Sequence, residues 1–335
     1  MRIVVGGACA LALALALIGS VRAEECNKPL SLVTSFDLVP VKDDRAVLIP
    51  VSLNGVSKLF LVDTGGALTE ITPQTADALQ LPRQRTSMQL FNVSGEMSNQ
   101  FARVDVQLGR LAQKDMALMI APGTEPLGDD ANVAGILAPD VLQHYDLDID
   151  FGAHKLNLLS QDHCDGKVIY WQADAVAVVP MRKMDSGHIQ LRVQLDGKDV
   201  TAMLDTGAWN TTLTRPIAET EFGLTMGSAD TPRTGALDDR PDAATYHHVF
   251  KTLALEGISV SNADVEIIPD FTRQVARENA TPETGSHLAA PTANEVDQAM
   301  LLGMNVLRHF HIYIAYKENK LYITPATPPS APAAH

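Results

Sequence analysis

Apolar and polar residues alternate in short stretches along most of the chain, a pattern typical of β-strands with one buried face. Residues 51–62 and 193–204 each contain two such stretches separated by a two-residue turn signal, Asn54-Gly55 in the first and Asp196-Gly197 in the second. Asn-Gly and Asp-Gly favour tight hairpins because both residues adopt positive φ at low cost. The pattern therefore predicts a mainly β fold built from hairpins.

Helical signals are few and recur at matching places. Thr72-Pro73 predicts a helix over Gln74–Leu81, with the threonine as N-cap and proline in the first turn. Thr214-Arg215-Pro216 predicts its counterpart later in the chain. Pro139 is well placed in the first turn of another short helix.

The chain contains an internal repeat. Residues 51–66 align without a gap to residues 193–208 at a constant offset of 142. Both copies end in the triplet Asp-Thr-Gly, Asp63-Thr64-Gly65 in the first and Asp205-Thr206-Gly207 in the second.

A second repeat relates residues 137–159 to residues 302–324 at an offset of 165. Each copy predicts a short helix followed by a hairpin. The larger offset means that the second half carries an insertion, which we place at Asp270–Ala299 and interpret as a surface loop or lid.

The repeats predict two similar lobes. We expect an N-terminal lobe over residues 24–165, a C-terminal lobe over 166–325, and a disordered tail over 326–335, which is rich in proline and alanine.

Residues 1–23 have the features of a secretory signal peptide: Arg2, an apolar stretch and the small-residue pattern Val21-Arg22-Ala23. The protein would then be exported, periplasmic or secreted, without a stable membrane span. An uncleaved N-terminal anchor is the alternative.

Composition and charge narrow the class of protein. The 335 residues are 46% hydrophobic, which is enough for one large or two ordinary cores. Lys and Arg total 26 against 40 Asp and Glu, and no basic cluster stands out. A nucleic-acid partner is therefore not expected, since it would require a cationic face.

Of the three cysteines, Cys26 and Cys164 remain after signal removal, and they form either one disulfide, two free thiols or an intermolecular bond.

Two Asp-Thr-Gly triplets in one chain have a chemical explanation. Two carboxylates held together do not both ionise, so the pair holds one proton between them. The ionised member can take a proton from water while the protonated member polarises a carbonyl. We therefore predict that Asp63 and Asp205 form a catalytic pair. Thr64 and Thr206 would brace it by hydrogen bonds across a pseudo-twofold axis.

The glycines of the triplets have a separate predicted role. Gly65 and Gly207 let the chain turn sharply and bring backbone N–H groups close to the carboxylates.

These residues resemble the active-site loops of retropepsin-like aspartic peptidases. Residues 135–142 and 301–307 are similar to the second motif of that family. The resemblance implies two closed β-barrel lobes related by pseudo-twofold symmetry, as in pepsin-like enzymes. It also implies a water-activating aspartate pair, and flaps over a cleft that binds a peptide or protein substrate. Because both half-sites lie in one chain, we expect a monomer that needs no cofactor.

The sequence departs from the family pattern in three places. Ala138 replaces the usual glycine of the second motif. Gly66 and Ala208 follow the triplets where pepsin-like enzymes have Ser or Thr, and the lost hydroxyl hydrogen bonds predict activity at mildly acidic rather than strongly acidic pH. No flap tyrosine is evident in the first lobe, where the best flap is Phe91–Phe101.

Several residues are candidates for the walls of the substrate cleft. Trp209 lines a subsite or packs in the core, with neither interpretation favoured. The remaining candidates follow the triplets or lie in the two flaps, of which the second covers residues 235–246: Gly66, Ala208, Ser94, Gly95 and Tyr246.

A metal site is not expected from the histidines. His247-His248 and the pair His309 and His311 lack a third ligand at suitable spacing, so we interpret them as surface or strand-face side chains.

The sequence thus predicts an exported aspartic endopeptidase. The first alternative is a catalytically silent peptide- or protein-binding module of the same fold. A weaker one is a structural protein of the cell envelope that uses the lobes as a scaffold.

Overall fold

The computed structural model describes residues 26–91, 96–123, 133–237, 243–270 and 299–326. The predicted signal peptide, the centre of the proposed insertion and most of the predicted tail lie outside these ranges, as do Ser94 and Gly95.

Twenty strands dominate the described residues. The first ten are β1 (Leu32–Asp37), β2 (Leu48–Leu53), β3 (Val56–Val62), β4 (Glu70–Ile71), β5 (Arg83–Phe91), β6 (Met97–Leu108), β7 (Leu111–Ile120), β8 (Val133–Leu137), β9 (Asp146–Asp150) and β10 (Lys155–Leu159). The others are β11 (Ala177–Lys183), β12 (Ile189–Leu195), β13 (Lys198–Leu204), β14 (Thr212–Thr214), β15 (Arg233–Ala236), β16 (Ala244–Leu255), β17 (Ile258–Ile268), β18 (Met300–Leu302), β19 (Phe310–Ala315) and β20 (Lys320–Pro325).

Short helices follow β4, β8, β14 and β18. They are α1 (Pro73–Ala78), α2 (Pro139–Leu142), α3 (Arg215–Thr220) and α4 (Met304–Leu307), and a 3-10 turn covers Lys42–Asp44. Thr72 caps α1 as predicted, its hydroxyl accepting from the Thr75 N–H. The helix ends three residues before the predicted Leu81, and Gln80 has a φ of 52° just beyond its end.

Each half of the chain closes into a six-stranded barrel. In the first, the order β2-β3-β8-β4-β7-β6 returns to β2, and β5 extends the sheet beyond β6. In the second, β12-β13-β18-β14-β17-β16 returns to β12 in the same way. The mainly β fold with two closed lobes is therefore confirmed. The hairpin turns are also as predicted, with positive φ at Asn54, Gly55, Asp196 and Gly197.

A third sheet joins the two lobes. Its order is β1-β10-β9-β19-β20-β11, so each half of the chain supplies three strands. The central contact is the antiparallel pair β9 and β19, where Leu147 lies opposite Ile314. Buried residues of both barrels and of this sheet form one continuous hydrophobic cluster.

Cys26 and Cys164 form the predicted disulfide, which ties the start of the described chain to the segment after β10. Chain-entropy arguments give about 4–5 kcal/mol for closing a loop of this length. No helix in the described part of the chain is both long and apolar enough to span a bilayer.

Candidate functional site

The two Asp-Thr-Gly loops, Asp63–Gly65 and Asp205–Gly207, begin where β3 and β13 end. Each of these strands runs parallel to a neighbour, β8 for β3 and β18 for β13. The neighbour anchors the loop, because the backbone N–H of Asp63 donates to Leu137 O at 3.0 Å and that of Asp205 donates to Leu302 O at 3.1 Å. Parallel pairing in both lobes thus places equivalent aspartates at the same point of each barrel.

The threonines lock the two loops together. The Thr64 hydroxyl donates to Leu204 O at 2.8 Å, and the Thr206 hydroxyl donates to Val62 O at 2.6 Å. Each hydroxyl also accepts from the backbone N–H of the other threonine at 3.1 Å. Both side chains are fully buried, so these four reciprocal hydrogen bonds hold the lobes in one fixed register. The predicted contact across the pseudo-twofold axis is present.

The glycines of the triplets allow the loops to approach each other. A Cβ on Gly65 would lie 2.6 Å from Asp205 Oδ2, and one on Gly207 would lie 2.5 Å from Asp63 Oδ2. Both distances are far below an ordinary van der Waals contact. Glycine is therefore required here for close packing against a carboxylate and not for a positive φ.

Asp63 and Asp205 are hydrogen-bonded to each other, Asp205 being buried and Asp63 half-buried. Burial, followed by the charge of Asp205, raises the pKa of Asp63 well above its ordinary value. Burial also raises the pKa of Asp205, but the hydrogen bond from Asp63 offsets part of that rise. The two carboxyl groups therefore hold one proton between them.

Backbone amides stabilise the charged form of the pair. The N–H of Gly65 donates to Asp63 Oδ1 at 2.8 Å. On the other side, the N–H groups of Gly207 and Ala208 both donate to Asp205 Oδ1, at 2.9 and 3.0 Å. The methyl side chain of Ala208 adds no hydroxyl donor, in keeping with the predicted difference from pepsin-like sites.

The substitution of Ala138 for glycine is accommodated in the first lobe. Ala138 is fully buried beside Gly66, where a Cβ on the glycine would lie 3.3 Å from the Ala138 methyl group. The equivalent pair in the second lobe is Ala208 and Gly303, and a Cβ on Gly303 would lie 2.5 Å from Asn210 O. Each lobe therefore has one alanine and one glycine in this pair. In the first lobe the alanine belongs to the second motif, and in the second lobe it directly follows the triplet.

His188 lies at the site and was not singled out from the sequence. It sits in the turn between β11 and β12 of the second lobe, and its Nε2 is 3.0 Å from Gly66 O in the first. Its Nδ1 is 3.0 Å from Ser186 Oγ. The charge of His188 lowers the pKa of Asp205. Its effect is smaller than those of burial, of the hydrogen bond from Asp63 and of the backbone amides.

Trp209 forms a contact between the lobes. The guanidinium of Arg45, from the first lobe, lies 4.7 Å from the centroid of its ring, and that of Arg308 lies 5.1 Å away. Its ring also packs against the main hydrophobic cluster. This arrangement supports the packing interpretation of Trp209, with the two cations stacked on its ring.

The predicted flaps are described only at their bases. Strands β5 and β6 pair up to Phe91 and Met97, and the intervening Ser94 and Gly95 are outside the described residues. In the second lobe, β15 and β16 form the corresponding hairpin. Tyr246 lies on β16, partly buried, with the Arg215 guanidinium 5.9 Å from its ring centroid.

Within the described ranges there is no group of three or more His, Cys, Asp or Glu side chains that could hold a metal ion. Two of the histidines considered above pair with carboxylates: His247 Nε2 is 2.7 Å from Asp264 Oδ1, and His311 Nε2 is 2.5 Å from Asp148 Oδ1.

Comparison with known proteins identifies the family. Residues 49–141 and 191–306 each match the aspartyl protease family, and together they cover more than half of the chain. The chain therefore belongs to the aspartyl protease family, which confirms the predicted resemblance. Among solved structures, the chain is similar to a retropepsin-like aspartic protease from Rickettsia conorii, with 15% sequence identity and a TM-score of 0.30. That alignment covers 47% of this chain and 96% of the other. A search of curated proteins gave no match.

Proposed function

We propose that this protein is an exported aspartic endopeptidase in which Asp63 and Asp205 activate a water molecule. The observation that carries the proposal is the hydrogen-bonded pair of largely buried carboxyl groups, one from each lobe, with raised pKa values at both positions. Such a pair contains a general base and a general acid in one site.

We assign the ionised role to Asp205 because two backbone N–H groups donate to its Oδ1, whereas one donates to Asp63 Oδ1. Asp205, the ionised member, accepts a proton from water as the water oxygen attacks the scissile carbonyl carbon. Asp63 donates its proton to the carbonyl oxygen, which gives a neutral tetrahedral diol. Asp205 then donates its proton to the amide nitrogen while Asp63 takes a proton from a diol hydroxyl, so the C–N bond breaks, two peptides form and the pair again holds one proton. The threonine hydrogen bonds keep both carboxyl groups in place during these steps.

The pH range of activity follows from the sign of the pKa shifts. Activity requires one proton on the pair, so it is lost as pH falls through the lower pKa and as pH rises through the upper one. Burial raises both values, which moves the whole window to higher pH. We expect an optimum at mildly acidic pH.

The remaining parts of the proposal concern location and partners. Export is supported by the signal-like residues 1–23 and by the Cys26–Cys164 disulfide, since disulfides persist in oxidising compartments. A monomer is supported by the presence of both aspartates in one chain. The substrate is a peptide or protein, and the reaction needs no metal or organic cofactor.

Cleavage of a mixed peptide pool between pH 3 and pH 7 tests the proposal. The purified mature protein should cleave it, pepstatin should inhibit, and Asp63→Asn and Asp205→Asn should each be inactive. Cleavage that survives either substitution would refute the role of the pair. Peptide binding without any cleavage would favour the catalytically silent module.

A further inference from the structure

Glu70 is a largely buried acid for which the described residues provide no partner. Its side chain, in the first residue of β4, is 8% exposed, yet no hydrogen bond or ion pair is made to it by any described residue. Burial raises its pKa to about 7. A buried carboxylate without a partner is costly, so an unpaired one near a reaction site suggests that a partner arrives with a ligand.

The neighbours of Glu70 in the chain fix the side of the barrel wall on which it lies. Ile71 belongs to the barrel core. The Thr69 hydroxyl donates to Asp140 Oδ1 at 2.7 Å and accepts from the Ala138 N–H at 3.0 Å, within the wall of the barrel. Because side chains alternate along a strand, Glu70 points to the opposite face from Thr69 and Ile71.

That face leads to the aspartate pair. Paired residues of adjacent strands share a face, and the pairs Leu61 with Ile136, Ile136 with Glu70, and Glu70 with Met119 form one row across β3, β8, β4 and β7. Leu61 is two residues before Asp63 and so is on the same side of β3. Two strand spacings place Glu70 about 10 Å from Leu61, roughly three residues of an extended peptide.

At the position equivalent to Glu70, the described residues of the second lobe place no unpaired acid. Thr212 occupies the position of Glu70 at the repeat offset of 142. The neighbouring Glu266, paired with Thr212 in the sheet, already accepts a hydrogen bond from Asn210 Nδ2 at 2.8 Å. Among these two equivalent positions, only that of the first lobe therefore carries an unpaired carboxyl group.

We propose that Glu70 forms a subsite that binds a lysine or arginine side chain of the peptide substrate, within about three residues of the scissile bond. This inference rests on the proposed peptidase function. A cation restores the electrostatic partner that the buried carboxylate lacks. The net charge of −14 also attracts basic peptides to the protein.

The subsite should respond to pH in a defined direction. The residues that pair with Glu70 on β7 and β8, Met119 and Ile136, carry no charge. Ile136 packs with Leu61 against uncharged side chains from residues 39–48. A bound cation favours the ionised form of Glu70. The preference for a basic side chain should therefore rise between pH 5 and about pH 7, where the free carboxyl group ionises.

Peptides that differ at one position test the proposal. Each of the three residues on either side of the cleaved bond is replaced in turn by Lys, Arg, Gln or norleucine. The kcat/KM for each peptide is then measured with the wild type, Glu70→Gln and Glu266→Gln. At one position, the wild type at pH 7 should prefer Lys or Arg by about 10- to 100-fold, the range for a charged hydrogen bond. Glu70→Gln should reduce this preference below about 3-fold and leave the norleucine peptide nearly unaffected, while Glu266→Gln should keep it.

The outcomes separate this inference from the peptidase proposal. Cleavage without a basic preference, or with a preference that Glu70→Gln retains, overturns the subsite alone. If no peptide is cleaved, the same peptides are titrated against the protein by fluorescence anisotropy. Tighter binding of the basic peptides that is lost in Glu70→Gln supports the subsite without the reaction, and absence of any binding overturns both. If Glu70→Gln does not fold, the pH dependence of the wild-type preference decides, since a preference that is flat from pH 5 to 7 contradicts the role of Glu70.

Discussion

Gly65→Ala tests whether the close approach of the two Asp-Thr-Gly loops is needed for activity. The new methyl carbon would lie 2.4 Å from Asp205 Cγ, whereas ordinary contacts begin near 3.4 Å. The carboxyl group must therefore move by about 1 Å or the loops must separate. Since a displacement of ~1 Å costs roughly 100-fold in rate, we expect kcat to fall by about 30- to 100-fold.

The assay is kcat and KM on a cleaved peptide, with thermal unfolding measured on the same sample. Gly109→Ala is the control for overpacking in general, because a Cβ there would collide with the Thr34 hydroxyl, in a hairpin turn outside the Asp-Thr-Gly loops. It should lower stability and leave kcat within about 3-fold. A Gly65→Ala enzyme with kcat within 3-fold of the wild type would refute the reasoning about loop approach.

Three further substitutions have defined outcomes. His188→Gln removes a charge that lowers the pKa of Asp205, so the acid limb of the pH profile of kcat/KM should move to higher pH; an unmoved limb contradicts this. Thr206→Val leaves buried backbone groups unpaired and should lower the free energy of unfolding by about 2–4 kcal/mol in urea titration, whereas Thr206→Ser should lie within ~1 kcal/mol of the wild type. Asp146→Asn breaks a fully buried 2.6 Å pair with His163 and should cost about 3–5 kcal/mol by the same measurement; a loss below 1 kcal/mol would contradict it.

The parts of the fold that depend on local signals could be predicted. The hairpins at Asn54-Gly55 and Asp196-Gly197 form because those residues accept positive φ, and Thr72 caps α1 because its hydroxyl reaches an N–H three residues on. The repeat then predicted two similar lobes. The meeting of Asp63 and Asp205 was predicted only through the symmetry that the repeat implies.

The parts that depend on distant pairing could not be predicted. The pairing of β9 with β19 depends on how the two barrels dock against each other. The residue pattern of neither strand indicates its partner. His188 is in a turn without a motif, and its position becomes evident only when that turn packs against Gly66 of the other lobe. Trp209 was undecided for the same reason, since Arg45 and Arg308 are far from it in sequence.

A double-mutant comparison of the aspartates tests the central claim most directly. Asp63→Asn, Asp205→Asn and the double variant are assayed on one peptide at the pH optimum of the wild type. If the two carboxyl groups act as one unit, each single substitution removes nearly all activity and the double variant is no worse than either. Losses that add up across the two substitutions, or a single variant that keeps more than about a tenth of the activity, would contradict a shared site.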